Sequence, residues 1–363
     1  MIENNIISDH FTVEELKKLK ITPPDAKMYK KICSNWDSVA KPLDGMGDFE
    51  LLTAKIGAVL GDENIDISKK AVIMMCADNG VVAEGISQSG QEVTLAVAKS
   101  MAGKASSVGR MAMTAGVDTI PVDIGINSDE SVKGLLQRKV RMGTRNFAKE
   151  PAMTEKETLD AIDTGVRLVK QCKENGYQIL ATGEMGIGNT TTSSAVTAAL
   201  LHRLASETAG RGAGLNDKGL SRKKQVIQEA IDRYDLYKAD AFTVLQTVGG
   251  FDIAGLTGVF IGGAMYHVPI VLDGLISGAA ALLAKRIIPG TEHFMIASHL
   301  GKEPAAKAIL KEIGIKPVIH GDLALGEGTG AVMVFSLLDL AMSVYNGRTD
   351  FSRLEMAPYE RLS

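Results

Sequence analysis

Cysteine is scarce: Cys33, Cys76 and Cys172 are the three in 363 residues, far apart and without CxxC spacing. That argues against a disulfide framework and a zinc ribbon, and fits a reducing compartment. Basic blocks are missing as well. With a net charge of −3 the chain carries no electrostatic footprint for nucleic acid, and no lysine or arginine cluster suits an anionic membrane surface. Long apolar runs are absent: the best uncharged one, residues 274–284, falls short of the ~20 residues a bilayer needs. The first residues, MIENNIISDHFTVEELKK, are polar and acidic and do not read as a leader. Together these absences describe a cytoplasmic protein that touches neither nucleic acid nor membrane. Chemical motifs are missing too. The six histidines form no HExxH or HxxxH pair, so no zinc site is expected. There is no Gly-x-Ser-x-Gly elbow, no P-loop and no GxGxxG fingerprint.

What is present is an alternation of periods. Thr12–Glu15 and Thr154–Glu157 have the S/T-x-x-E form of a capping box, and Thr22-Pro23-Pro24 opens a helix over about 25–40. A third helix is expected over about 49–60. Then come short apolar runs closed by turn residues: near 71–77, 120–124, 179–182, 269–273 and 294–298, with a weaker sixth near Val318. Such runs suit strands buried on both faces. Helical stripes lie between them, one with Leu159, Ile162, Val166 and Val169, another starting at Ser221 with Val226, Ile227, Ala230, Ile231 and Tyr234. The pattern predicts an α/β fold: a parallel six-stranded Rossmann-like sheet with helices on both faces, plus a small helical domain. The expected division is an α/β catalytic domain over 61–330, with 1–60 and 331–363 forming the helical domain from both termini.

In such sheets ligands bind beyond the carboxyl ends of the strands. The segments that follow the six runs are ADNG with VVAEGISQSGQE, DIGIN, GEMGIGNTTT, DGLISG, SHLGKE and LALGEGTGA. Small, acidic and hydroxyl residues therefore converge on one edge. GEMGIGNTTTSS, residues 183–194, is a strand-to-helix turn of the kind that attracts phosphate, or else an ordinary turn capped by Asn189 or Thr190. Glu327, alone between glycines, reads by itself as a solvated acid favoured by a helix dipole. Ser89 reads as a capping-box start, Asp123, Asp252 and Asp273 as candidate caps, Lys223 as a solvated lysine and Cys76 as inert core.

MCADNGVVAEG, ATGEMGIGNTT, TVGGFDIAGLTG, VLDGLISGAAAL, ASHLGKE and LGEGTGA resemble, in order, segments of the nicotinate-nucleotide:dimethylbenzimidazole phosphoribosyltransferase family. The likeness runs over roughly residues 41–347. It implies transfer of 5-phosphoribosyl from nicotinate mononucleotide to 5,6-dimethylbenzimidazole, giving α-ribazole 5′-phosphate and nicotinate for the lower nucleotide loop of cobalamin. It also implies a six-stranded α/β domain with a small helical domain, a homodimer, and no cofactor or metal. By the resemblance Glu327 is the general base and Glu184 stabilises positive charge. Gly186, Gly188, Asn189, Thr190, Lys223, Asp273 and Ser298 belong to the nucleotide site, and Ser89, Val97, Met185 and Leu325 to the base pocket.

The chain departs from the family at Asn79 (often histidine), Val97 (a glutamine) and Met185 (a leucine). A more apolar, more adaptable pocket follows, and with it acceptors beyond one benzimidazole. The alternative is a relative that phosphoribosylates phenolic or other bases, alone or as a subunit of a heteromer. A nucleotide-dependent oxidoreductase is disfavoured by the missing fingerprint, and a non-catalytic nucleotide sensor would have no use for Glu327.

Overall fold

The computed structural model describes residues 11–361; the polar stretch 1–10, read above as no leader, lies outside them. The strands are β1 (Lys70–Ala77), β2 (Asp118–Gly125), β3 (Leu136–Gln137), β4 (Ile179–Met185), β5 (Ile270–Leu272), β6 (Met295–His299) and β7 (Pro317–Ile319). They form one parallel sheet in the order β3-β2-β1-β4-β5-β6-β7. The sheet has seven strands where six were expected. The additional one, β3, is two residues long and pairs Leu136 with Val122 and Gln137 with Asp123. A segment that short has no apolar run to announce it.

The continuous apolar composition of β1 follows from burial on both faces. Ala71, Ile73, Met75 and Ala77 join one core, with Val166, Val169, Phe260 and Leu282 of the covering helices. Val72, Met74 and Cys76 point the other way, into a core shared with Ile32, Trp36, Phe335, Leu338 and Tyr345. The period of two is present but hidden, because neither face is polar.

Capping boxes form at Thr12 and Thr154, and Asp25 accepts from the first backbone N–H groups of the helix Ala26–Ser38. The stripe expected from Ser221 starts earlier, in a helix Asp217–Arg233 capped by Asn216. At Ser89 no capping box forms. The helix Glu92–Ala102 opens at Gln91 with no side-chain cap. Helices Ala26–Ser38 and Asp48–Leu60 pack together and against Thr329–Gly347. The two ends of the chain meet in a bridge between Val39 and Asp350.

Thr329–Gly347 is long and apolar enough to cross a membrane. Here it is a core helix: Val334, Phe335, Leu338, Ala341, Met342 and Tyr345 are buried. Its other side leaves Met333, Leu340 and Val344 exposed at 38%, 65% and 39%.

The order of the sheet reverses between β1 and β4. Chains leaving their carboxyl ends there diverge to opposite faces, which opens a crevice.

Candidate active site

A cleft of about 250 Å³ lies over the carboxyl ends of β4, β5 and β6. Its walls come from residues 86–88, Val97, the turn 184–190, the loop 211–215, residues 273–277, the loop 299–303 and the segment 323–327. A larger apolar hollow of about 560 Å³ lies between the N-terminal helices and β6–β7 and shares no residue with the cleft. Two of its charged groups are engaged: Lys55 Nζ donates to the Met295 carbonyl at 2.5 Å and Asp25 caps a helix. In the cleft, by contrast, buried acids meet a helix start that no side chain caps.

The segment Gly326-Glu327-Gly328 is left-handed throughout, with φ of +86°, +63° and +98°. For a glutamate that is a strained backbone, and strain of this kind is held at working sites by the structure around it. Close approach explains the glycines. A Cβ on Gly183 of β4 would lie 2.2 Å from the Glu327 carbonyl oxygen, so the segment rests directly on the sheet end. The Glu327 carboxylate is half-buried. Its Oε2 accepts the Val108 N–H at 3.0 Å, at the positive end of the helix Ser107–Ala115. Among the described residues Oε1 has no donor.

Three buried carboxylates, Glu184, Asp252 and Asp273, lie close enough to feel one another's charge. Glu184, at the end of β4, accepts from the Asn189 amide. Burial and the nearby Asp252 push its pKa up to about 8, against the pull of Asn189. Burial pushes Asp252 up to about 6 despite its bond from Ile253 N–H. Burial likewise pushes Asp273, at the end of β5, up to about 7, against the backbone N–H groups of Ala331, Gly328 and Gly330. Glu184 and Asp273 stand at strand ends, where the loops beside them supply the donors: the Asn189 amide for one and backbone N–H groups of residues 328–331 for the other.

The turn after β4 feeds the helix Asn189–Leu201. Its N-cap is Gly188, left-handed at φ +94°, with no side-chain cap. The cap expected at Asn189 or Thr190 is therefore absent, and both side chains serve elsewhere. Asn189 holds Glu184, and Thr190 Oγ1 accepts from Lys223 Nζ at 2.9 Å. Lys223 is fully buried, donates also to the Gly210 carbonyl at 3.1 Å, and is held down to about 8 by burial. An uncapped helix start beside a buried lysine is a ready site for an anion.

Glu327, Glu184, Gly186, Gly188, Asn189, Thr190, Asp273, Val97, Met185 and Leu325 all line the cleft. Leu325 is 57% exposed at its rim. Lys223 backs the wall through Thr190. Ser298 is buried behind it, its hydroxyl donating to the Asp273 carbonyl at 3.2 Å and lying 2.9 Å from His299 Nδ1. Ser89 is not in the wall; its neighbours Ser87 and Gln88 are. Sequence reasoning did not single out Arg211, His299, Lys302 or Glu303, which also line it. Arg211 and Gly212 lie between two helices, not after a strand, so strand-end logic passed over them. Lys302 and Glu303 belong to the segment SHLGKE at the end of β6, where only their charge distinguishes them.

A Phosphoribosyltransferase family model matches residues 21–354. The nicotinate-nucleotide–dimethylbenzimidazole phosphoribosyltransferase of Acetivibrio thermocellus is 43% identical over 89% of this chain and 92% of its own. That of Clostridium acetobutylicum is 40% identical over 93% and 96%. Among solved structures, CobT from Thermus thermophilus superposes with a TM-score of 0.87 at 34% identity, covering 92% of this chain and all of that one. Sequence and fold agree, and the chain belongs to the nicotinate-nucleotide–dimethylbenzimidazole phosphoribosyltransferase family.

Proposed function

We propose that the protein transfers the 5-phosphoribosyl group of nicotinate mononucleotide to a nitrogen of 5,6-dimethylbenzimidazole or a related aromatic base. The products are α-ribazole 5′-phosphate and nicotinate. The observation that carries this reading is Glu327: a carboxylate held in a strained left-handed turn at the lip of a cleft, with one oxygen unengaged.

A lone pair on the base attacks C1′ while the C1′–N bond to the pyridinium breaks. That bond's electron pair neutralises the ring nitrogen, so nicotinate leaves without needing a proton. The other benzimidazole nitrogen becomes acidic as the new bond forms, and Glu327 takes its proton. Positive charge gathers at C1′ in between. Glu184, ionised once a pyridinium lies beside it, stabilises that charge. The phosphate sits at the N-terminus of Asn189–Leu201, with Thr190 and Lys223 behind it. Val97, Met185 and Leu325 give the base an apolar seat. No step calls for a cofactor or metal.

The test is to incubate the protein with nicotinate mononucleotide and a mixture of benzimidazoles, adenine and phenols, and to identify products by mass. Nicotinate and a ribosylated base should form in equal amounts. Nicotinate without a ribosylated base contradicts the reading. Several benzimidazoles should compete within about tenfold of one another, because Met185 adapts its shape and Val97 offers no hydrogen bond to demand one partner. Exclusive use of dimethylbenzimidazole contradicts an adaptable pocket.

The homodimer expected from the family is supported by the exposed apolar stripe of Met333, Leu340 and Val344 on one helix. A stripe at that spacing suits a second copy of the same helix face. Leu340→Lys should shift the sedimentation coefficient from dimer to monomer; an unchanged coefficient places the interface elsewhere.

A further inference from the structure

We propose that Asp273 is a positioning residue for Glu327, capping the helix Thr329–Gly347 from the end of β5 and so leaving the Glu327 carboxylate free for the cleft. A helix start leaves several N–H groups without partners, and the residue at the N-cap usually supplies an oxygen. Here the N-cap is Gly328, which has no side chain to offer. The residue before it is Glu327, whose carboxylate is long enough to fold back and cap its own helix. It does not. Asp273 Oδ1 accepts the N–H groups of Gly330 at 2.8 Å and Ala331 at 3.2 Å, and Oδ2 accepts that of Gly328 at 3.1 Å. With those donors taken, Glu327 turns to Val108 N–H on a different helix. Asp273 is 2% exposed and follows directly on Leu272, the last residue of β5 paired in the sheet, so the clamp on the left-handed turn is anchored in the core. His299 Nδ1 stands 3.9 Å from Oδ1, beyond hydrogen-bond reach, and does not compete.

The inference rests on the reading of Glu327 as general base. In Asp273→Asn one carboxylate oxygen becomes an NH2 group, which cannot accept and faces an N–H donor. Glu327 is then released to cap its own helix. Turnover should fall by at least about 30-fold, with KM for nicotinate mononucleotide changed by less than about threefold. Amide hydrogen exchange at Gly328, Gly330 and Ala331 should quicken. The decisive readout is a double-mutant cycle. In a Glu327→Gln background, Asp273→Asn should cost less than about threefold, because a residue that acts only through Glu327 has nothing left to position. An equal loss in both backgrounds, or a raised KM with unchanged turnover, overturns the inference. Asp273→Ser, whose hydroxyl can satisfy only part of the set, carries the same cycle should the asparagine variant not fold. If Glu327→Gln alone leaves turnover intact, the base assignment fails; if it abolishes turnover and the cycle is additive, only the role of Asp273 fails.

Discussion

Glu327→Gln is expected to lower turnover by about 10²- to 10⁴-fold, the range that a positioned general base supplies. The amide has the same size and keeps an oxygen for Val108 N–H, so the turn and the fold should persist. Binding of nicotinate mononucleotide, read by isothermal titration, should change by less than about threefold, because the lost step concerns the acceptor's proton. The loss should also shrink at high pH with acceptors whose ring N–H is more acidic, since hydroxide can then substitute for the missing base. Unchanged turnover would remove Glu327 from the chemistry.

Glu184 should make both stability and binding depend on pH. Its carboxyl, ordinarily near 4.5, is pushed up to about 8 by burial and by Asp252. The unfolded chain ionises this group near 4.5 while the folded chain holds the proton until about 8. The unfolded state therefore binds fewer protons across that window, and the group's contribution to stability falls as pH rises from about 4.5 to 8. Asp273, at about 7, and Asp252, at about 6, act in the same direction over narrower windows. Relative to the wild type, Glu184→Gln should gain thermal stability steadily as pH rises from about 5 to 8. Its turnover should fall by about 10²- to 10³-fold, because a neutral amide cannot become the anion that faces C1′. A pyridinium arriving beside Glu184 favours the ionised form, so binding of nicotinate mononucleotide at about pH 7 should release protons. Titration in buffers of different ionisation enthalpy detects that release, and Glu184→Gln should reduce it. Equal proton release in both proteins would assign the effect to another group.

The strand runs were legible because burial on both faces demands unbroken apolar stretches, and Ala71–Ala77 has one. Capping boxes at Thr12 and Thr154 were legible because a local hydrogen bond depends only on neighbours in sequence. Ser89 shows the limit of that logic: the same letters form no cap when the chain at Gln91 is already helical. β3 was not legible, since two residues have no period. In the site, glycine neighbours alone leave Glu327 a solvated acid, and the roles of Glu327 and Glu184 come from the family resemblance. The partners that define their state were not legible. Val108 lies 219 residues from Glu327, and Asp273 lies more than fifty residues from the N–H groups it holds. Lys223 read as solvated and is fully buried, because the loop at Gly210 closes over it. Such pairings arise only once the sheet brings distant strand ends together.

The most direct test is a structure with a benzimidazole and nicotinate mononucleotide, or their products, in the cleft. A Glu327 carboxylate oxygen should lie about 2.6–3.2 Å from the ring nitrogen that is not bonded to C1′, or reach it through one water. A carboxylate still bonded only to Val108 N–H and turned from the ring, with no bridging water, would contradict the mechanism.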